Sequence, residues 1–165
     1  MDTVLQDSLN SQLTFERFSA DVYYSLACQL DAVNLAGMAA YMHKRADEER
    51  SHAKKFSDYL ADRSVMPVIA GLSVPATIPN LDPMAIGSIA VDMALAHERV
   101  VTERINILYS TSEEIEDYQT CEFLLWFLKE QVEEVRSLEE WQTKFRLAAG
   151  NGAAIIILDA QMKEA

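Results

Sequence analysis

The sequence predicts an all-α protein: an up-down-down-up four-helix bundle with a long crossover between its second and third helices and a short fifth helix at the C-terminus. Glycine and proline are scarce, at 5 and 4 of 165 residues, and they cluster, which leaves long stretches free of both. Within those stretches apolar residues recur at spacings of three and four, the period of a buried helix face. The links between the stretches are short, then long, then short, and in a bundle this order makes the second and third helices run parallel.

The first two helices are expected at about 3–33 and about 35–61, joined by a short turn. Beyond them, the segment 62–82 contains prolines and a glycine at close intervals, which predicts an irregular crossover. Asp82 followed by Pro83 is a good helix start, because proline is favoured in the first helical turn.

The third helix is expected at about 83–109, and the polar run 110–114 resembles a break followed by a new N-cap. The fourth helix follows at about 113–148 and ends at the glycines of 150–152. A fifth helix at about 153–163 completes the chain as one domain, residues 1–165. The alternatives for this last segment are a frayed apolar tail and a helix that caps its own bundle.

Composition excludes several classes of function. Lys and Arg total 14 against 26 Asp and Glu, a net charge of -12, which argues against nucleic-acid and anionic-membrane partners and is compatible with metal cations. The longest apolar runs are too short to span a bilayer, and no secretory signal is visible. Cys28 and Cys121 form neither a CxxC pair nor a disulfide framework. These features predict a cytoplasmic protein, or a plastid one if a transit peptide has been removed.

A polar residue interrupts the apolar face of each predicted long helix: Glu16, Glu49, Glu98 and Gln131. In an antiparallel hairpin, facing residues are equally distant from the turn. The first two of these residues are 33 positions apart, as are the last two, and both midpoints fall within a few residues of the expected turns. Each residue then lies roughly 24 Å from its turn, so all four are expected at one level of the bundle. For any one of these four residues, the alternative is that its side chain is exposed to solvent and that the apolar face of its helix is assigned slightly wrongly.

Neighbouring residues favour a metal site at that level. Glu49 and His52 form an E-x-x-H pair on one helix face, and Gln131 and Glu134 repeat this spacing on the fourth helix. Burying several carboxylates together is very unfavourable unless cations neutralise them. Carboxylates with one imidazole suit iron or manganese, whereas a thiolate zinc site is not indicated. Tyr23 lies two turns from the first glutamate on the same face.

The chain resembles the non-haem ferritins, the bacterial type in particular, over nearly its whole length. The resemblance is carried by four motifs, whose order and spacing fit the family: FERFSADVYYSL (15–26), RADEERSHAKKFSDYL (45–60), HERVVTERIN (97–106) and FLLWFLKEQVEEV (123–135). It implies that Glu16, Glu49 and His52 hold the first iron of a ferroxidase centre, with Glu49 bridging. Glu98 would hold the second iron, and Glu134 would bind that iron and reach a third.

Further roles are implied by the same resemblance. Gln131 would lie close to the second iron, and Tyr23 would stand beside the first as an electron or hydrogen-bond donor. Glu48, Glu130 and Glu133 match the carboxylates of a third iron site.

Two departures from related proteins limit what the resemblance implies. Arg50 stands where bacterioferritins have the methionine that binds haem, so no haem is expected. Cys121 and Leu124 stand where animal ferritins have the acidic residues of their three-fold channel, so an iron entry route cannot be transferred.

The function implied is iron storage. Fe(II) would be oxidised to Fe(III) by O2 or H2O2 at the di-iron centre, and ferric mineral would be deposited inside a hollow homo-oligomer of twenty-four subunits. One alternative is a stand-alone di-iron redox enzyme of the rubrerythrin-like type, which the missing CxxC module and the extra fifth segment disfavour. Another is a metal-free helical scaffold, which would take up no oxygen with ferrous iron.

Overall fold

The computed structural model describes residues 1–79 and 81–165. The described residues form five helices and no strand, which confirms the predicted all-α class. The helices are α1 (Thr3–Ala32), α2 (Ala36–Asp62), α3 (Ile86–Glu114), α4 (Tyr118–Ala148) and α5 (Gly152–Lys163).

The topology follows from which residues meet across the bundle. Between α1 and α3, Ser19 Oγ lies 2.7 Å from His97 Nε2, and Gln12 accepts a 2.8 Å hydrogen bond from Arg104. The helices α1 and α3 are therefore antiparallel. The corresponding pairs between α2 and α4 are Arg45 with Glu134, Tyr59 with Thr120 and Arg63 with Asp117. A short turn joins α1 to α2, and His43 of α2 lies 3.4 Å from Asp31 of α1, so these two helices are also antiparallel. Since α2 and α3 are both antiparallel to α1, they run parallel to each other, in the predicted up-down-down-up order.

The crossover runs along the outside of α1, held by side chains of that helix. The backbone N–H of Val68 donates to Asn10 Oδ1 at 2.7 Å, and that of Ile78 donates to Gln29 Oε1 at 2.7 Å. The crossover therefore runs in the same direction as α1. It returns the chain from the C-terminal end of α2 to the end of the bundle where α3 begins, as a link between two parallel helices must. The helix α3 begins at Ile86, three residues later than Pro83.

The break predicted at 110–114 is wrong, because α3 continues through this range. Ser112 is buried, and its hydroxyl donates to the Leu108 carbonyl at 2.8 Å, so it bonds within the helix and caps nothing. The N-cap of α4 is Asp117, whose carboxylate accepts from the Thr120 N–H at 3.1 Å.

Two apolar clusters fill the bundle, one towards each end, and a polar layer separates them. On α1, Leu13 belongs to one cluster and Tyr23 to the other, and Glu16 lies between them. The other long helices are interrupted in the same way. The residues at these interruptions are Glu16, Glu49, Glu98 and Gln131, all buried. The four therefore lie at one level, as the hairpin spacing predicted.

The last helix packs against α2 of its own bundle. Asp159 accepts a 2.8 Å hydrogen bond from the Met38 N–H, and a Cβ atom added to Gly37 would lie 1.9 Å from the Asp159 carbonyl oxygen. Only glycine therefore permits this approach. On the opposite face of α5, Ile156 and Ile157 are exposed. Among the residues that the structure describes, none of the helices combines the length and the apolar character needed to cross a membrane.

Candidate metal centre

The polar layer is built from carboxylates of separate helices. Glu16 on α1, Glu49 on α2 and Glu98 on α3 are each wholly buried, and Glu134 on α4 is 3% exposed. His52, one turn beyond Glu49, turns its ring into the same layer with Nδ1 3.5 Å from a Glu49 oxygen. The bundle core thus contains four carboxyl groups and one imidazole.

Ligand atoms in this layer lie close enough to share cations. They form three overlapping groups, within each of which the atoms lie no more than 4.8 Å apart. The groups are Glu16 with Glu49 and His52; Glu49 with Glu98 and Glu134; and His52 with Glu130 and Glu134. Glu49 belongs to the first two groups, so two cations bound there would lie on either side of it.

Unpaired oxygens show that a cation fits the layer. Glu16 Oε2 and both Glu49 oxygens accept no hydrogen bond from any residue that the structure describes. A buried carboxylate oxygen without a partner is strongly unfavourable, and a bound cation supplies the missing partner. Oxygen-rich sites with one imidazole suit iron and manganese.

Burial also perturbs the acidity of these groups. Loss of solvation raises the pKa of Glu16 well above its usual value, and the charge of Glu49 adds to the rise. Burial and the charge of Glu98 raise the pKa of Glu49 in the same way. For Glu134 the same two causes raise the pKa to about 7. Without cations, the layer therefore binds protons that exposed glutamates would have released at neutral pH.

Two hydrogen-bonded chains orient ligands of the layer. Gln12 donates to Glu16 at 2.8 Å, and its own oxygen accepts from Arg104 at 2.8 Å. Tyr23 donates its O–H to Glu98 Oε1 at 2.5 Å. These contacts use one oxygen of each carboxylate; Glu16 Oε2 has no hydrogen-bond partner among the described residues, and Glu98 Oε2 lies 3.4 Å from the Gln131 amide nitrogen.

Both ends of the Gln131 amide are hydrogen-bonded to other side chains. Its amide nitrogen donates to Glu134 at 2.6 Å and contacts Glu98 at 3.4 Å. Its oxygen accepts from the Thr102 hydroxyl at 2.8 Å. The structure therefore places the amide nitrogen of Gln131 beside Glu98 and Glu134 and its amide oxygen against Thr102.

The residues expected to hold a third iron are only partly brought together. Glu130 is half-buried and joins His52 and Glu134 in one ligand group. Glu48 accepts a 2.6 Å hydrogen bond from Arg45, and Glu133 is exposed and outside the three groups.

Sequence reasoning missed the polar residues that support the ligands: Gln12, Arg45, Thr102 and Arg104. Gln12 and Arg45 each stand four residues before a predicted ligand on the same helix, and this spacing is a signal that could have found them.

Comparison with known proteins gives consistent matches. A family model described as a ferritin-like domain matches residues 6–148. The bacterial non-heme ferritin of Escherichia coli is 28% identical over 157 residues, which cover 94% of this chain and 92% of that protein. The bacterial non-heme ferritin of Staphylococcus haemolyticus is 37% identical over 135 residues, covering 82% and 78%. The open pore ferritin of Archaeoglobus fulgidus matches with a TM-score of 0.93 and 29% identity, covering 100% of this chain and 99% of that one.

Proposed function

The chain belongs to the ferritin family, and on this premise we propose that it stores iron, oxidising Fe(II) with O2 or H2O2 at an intra-subunit centre of two irons. The observation that supports the proposal best is the set of unpaired oxygens on Glu16 and Glu49 inside a layer closed to solvent. Glu16, Glu49 and His52 are proposed to hold the first iron, and Glu98 and Glu134 the second, with Glu49 shared.

The ferrous ions are the substrate, and each supplies one electron to the oxidant. The protein's part is to hold and orient them. Because burial raises the pKa values of Glu16 and Glu49, cation binding displaces protons from the layer as the carboxylates ionise. Carboxylates then favour the ferric state through their negative charge. Tyr23 donates its O–H to one oxygen of Glu98, with the two oxygens 2.5 Å apart, so it contacts a proposed ligand of the second iron and not of the first.

Storage further requires a cavity for the mineral. We propose a cage of twenty-four subunits, of roughly 440 kDa for a chain of 18.5 kDa, in which α5 and its exposed Ile156 and Ile157 lie at the four-fold axes. Size-exclusion chromatography with light scattering measures this mass directly. A cytoplasmic location stays a prediction, as does the lack of haem, nucleic-acid and membrane partners. The third iron site also stays a prediction.

Ferrous iron and air test the proposal. The protein should oxidise Fe(II) and retain many irons per subunit, whereas a rubrerythrin-like enzyme keeps about two. Glu49→Gln should lower the oxidation rate by at least roughly tenfold, because both cations lose a shared ligand. The matched control is Glu103→Gln, which removes an exposed carboxylate from α3. Equal rates for the two variants would refute the proposed centre.

A further inference from the structure

A buried arginine adjoins the proposed centre. Arg45 is only 9% exposed, and its guanidinium lies among acidic groups. Nη1 donates to Glu48 at 2.6 Å, and Nη2 forms a 2.5 Å ion pair with Glu134 Oε1. The guanidinium carbon also lies 5.8 Å from the centre of the Tyr23 ring. Arginine keeps its proton in proteins, so this contact is a permanent positive charge inside the bundle.

The guanidinium stands between two carboxylates that a further cation would need. Glu134 is shared by two ligand groups, and Arg45 engages its Oε1 while Gln131 engages its Oε2. Glu48, one turn from Arg45 on α2, faces the same guanidinium. A metal ion bound by both carboxylates would have to displace the arginine from between them.

Electrostatic repulsion leads to the same conclusion. The guanidinium already places one positive charge between Glu48 and Glu134. A divalent cation bound at these two carboxylates would lie next to that charge, in a site of low dielectric constant where repulsion is strong.

We propose that the guanidinium of Arg45 takes the place of a third metal ion, so that each subunit binds two cations in the layer and not three. The inference rests on the proposed function for the two cation positions themselves. It competes with the third iron site expected from the family resemblance, because it assigns Glu48 to an internal cation. Arg45 is a positioning residue here, since it acts on Glu134.

Cobalt(II), which stays divalent in air at carboxylate sites, is a suitable probe. Crystals of the wild-type protein in excess Co²⁺ should show two anomalous peaks in the layer, with Arg45 still between Glu48 and Glu134. Arg45→Gln removes the charge and should add a third peak at these carboxylates. Isothermal titration should count one more ion per subunit for Arg45→Gln than for Arg50→Gln, which removes an exposed arginine of the same helix.

Charge and shape are separated by Arg45→Lys, which should retain two peaks because it retains the positive charge. A third peak in the wild-type protein, with the guanidinium displaced, would overturn the inference, and so would an Arg45→Gln protein that still binds two ions. If Arg45→Gln does not fold, the wild-type and Arg45→Lys crystals decide. Absence of both expected peaks from the wild-type protein would instead count against the proposed two-cation centre.

Discussion

Raising the pH should destabilise the metal-free protein, because the buried carboxyl groups must then carry their charges. Burial, followed by the charge of Glu98, raises the pKa of Glu134 from 4.5 to about 7. Between these values the native state holds a proton that the unfolded chain has released. Stability from this group is therefore fully present below pH 4.5 and is lost as the pH rises through 7. At about 1.4 kcal/mol per pKa unit, Glu134 alone accounts for about 3 kcal/mol.

Urea denaturation of chelator-treated protein at pH 5 and pH 8 measures this effect. Burial raises the pKa of Glu16 and of Glu49, so both act in the same direction as Glu134. Saturating Co²⁺ should restore the stability lost at pH 8, because cations replace the protons. The reasoning would be refuted by a metal-free protein whose free energy of unfolding is unchanged or higher at pH 8.

Two matched variants distinguish the contribution of this layer to the pH dependence of stability from the contribution of the protein's other titratable groups. Glu49→Gln removes one buried charge that has no hydrogen-bond partner among the described residues, so it should stabilise the metal-free protein at pH 8 and reduce its pH dependence. Glu103→Gln removes an exposed carboxylate and should leave both unchanged. Identical pH dependence in the two variants would show that the layer is not responsible.

Three further substitutions test contacts around the centre and in the fold. Arg104→Gln should weaken Co²⁺ binding by roughly tenfold in isothermal titration, since the chain that orients Glu16 loses its outer donor. Tyr23→Phe should lower the thermal stability of the metal-free protein at pH 8 by about 2 kcal/mol, because a buried carboxylate loses its donor. Gly37→Ala should cost about 1–3 kcal/mol, because its methyl group overlaps a carbonyl oxygen of α5, whereas Gly71→Ala meets no atom within 4 Å and should be neutral.

The depth of the polar layer could be predicted because helix geometry is regular. Glu16 and Glu49 are separated by 33 residues around a short turn, and the rise per residue is constant, so their common level follows from arithmetic. The structure places them in the same ligand group. The spacing of these two residues in the sequence was therefore enough to predict that they lie close together across two helices.

The turn between α3 and α4 was misplaced because serine is ambiguous. Ser112 favours an N-cap by its residue type, yet a serine inside a helix can bond to the carbonyl four residues earlier. The structure shows the second outcome, with the Leu108 carbonyl as acceptor. Sequence alone does not decide between them, because the choice depends on the burial of the serine, which tertiary packing determines.

The role of Arg45 could not be predicted from a helical pattern. On a helix face, an arginine three residues before Glu48 is usually a solvated ion pair. In the structure Arg45 pairs with Glu48 and also with Glu134 of α4. Because Arg45 is buried, its positive charge lies inside the bundle and not at the surface. Contacts of this kind depend on how the helices pack against one another, which the pattern of a single helix does not encode.

The measurement that tests the central claim most directly is anomalous diffraction from a crystal soaked anaerobically in ferrous iron. The account predicts two iron peaks in the buried layer, one bounded by Glu16, Glu49 and His52 and the other by Glu49, Glu98 and Glu134. Iron peaks elsewhere, with these side chains turned out into solvent, would contradict it.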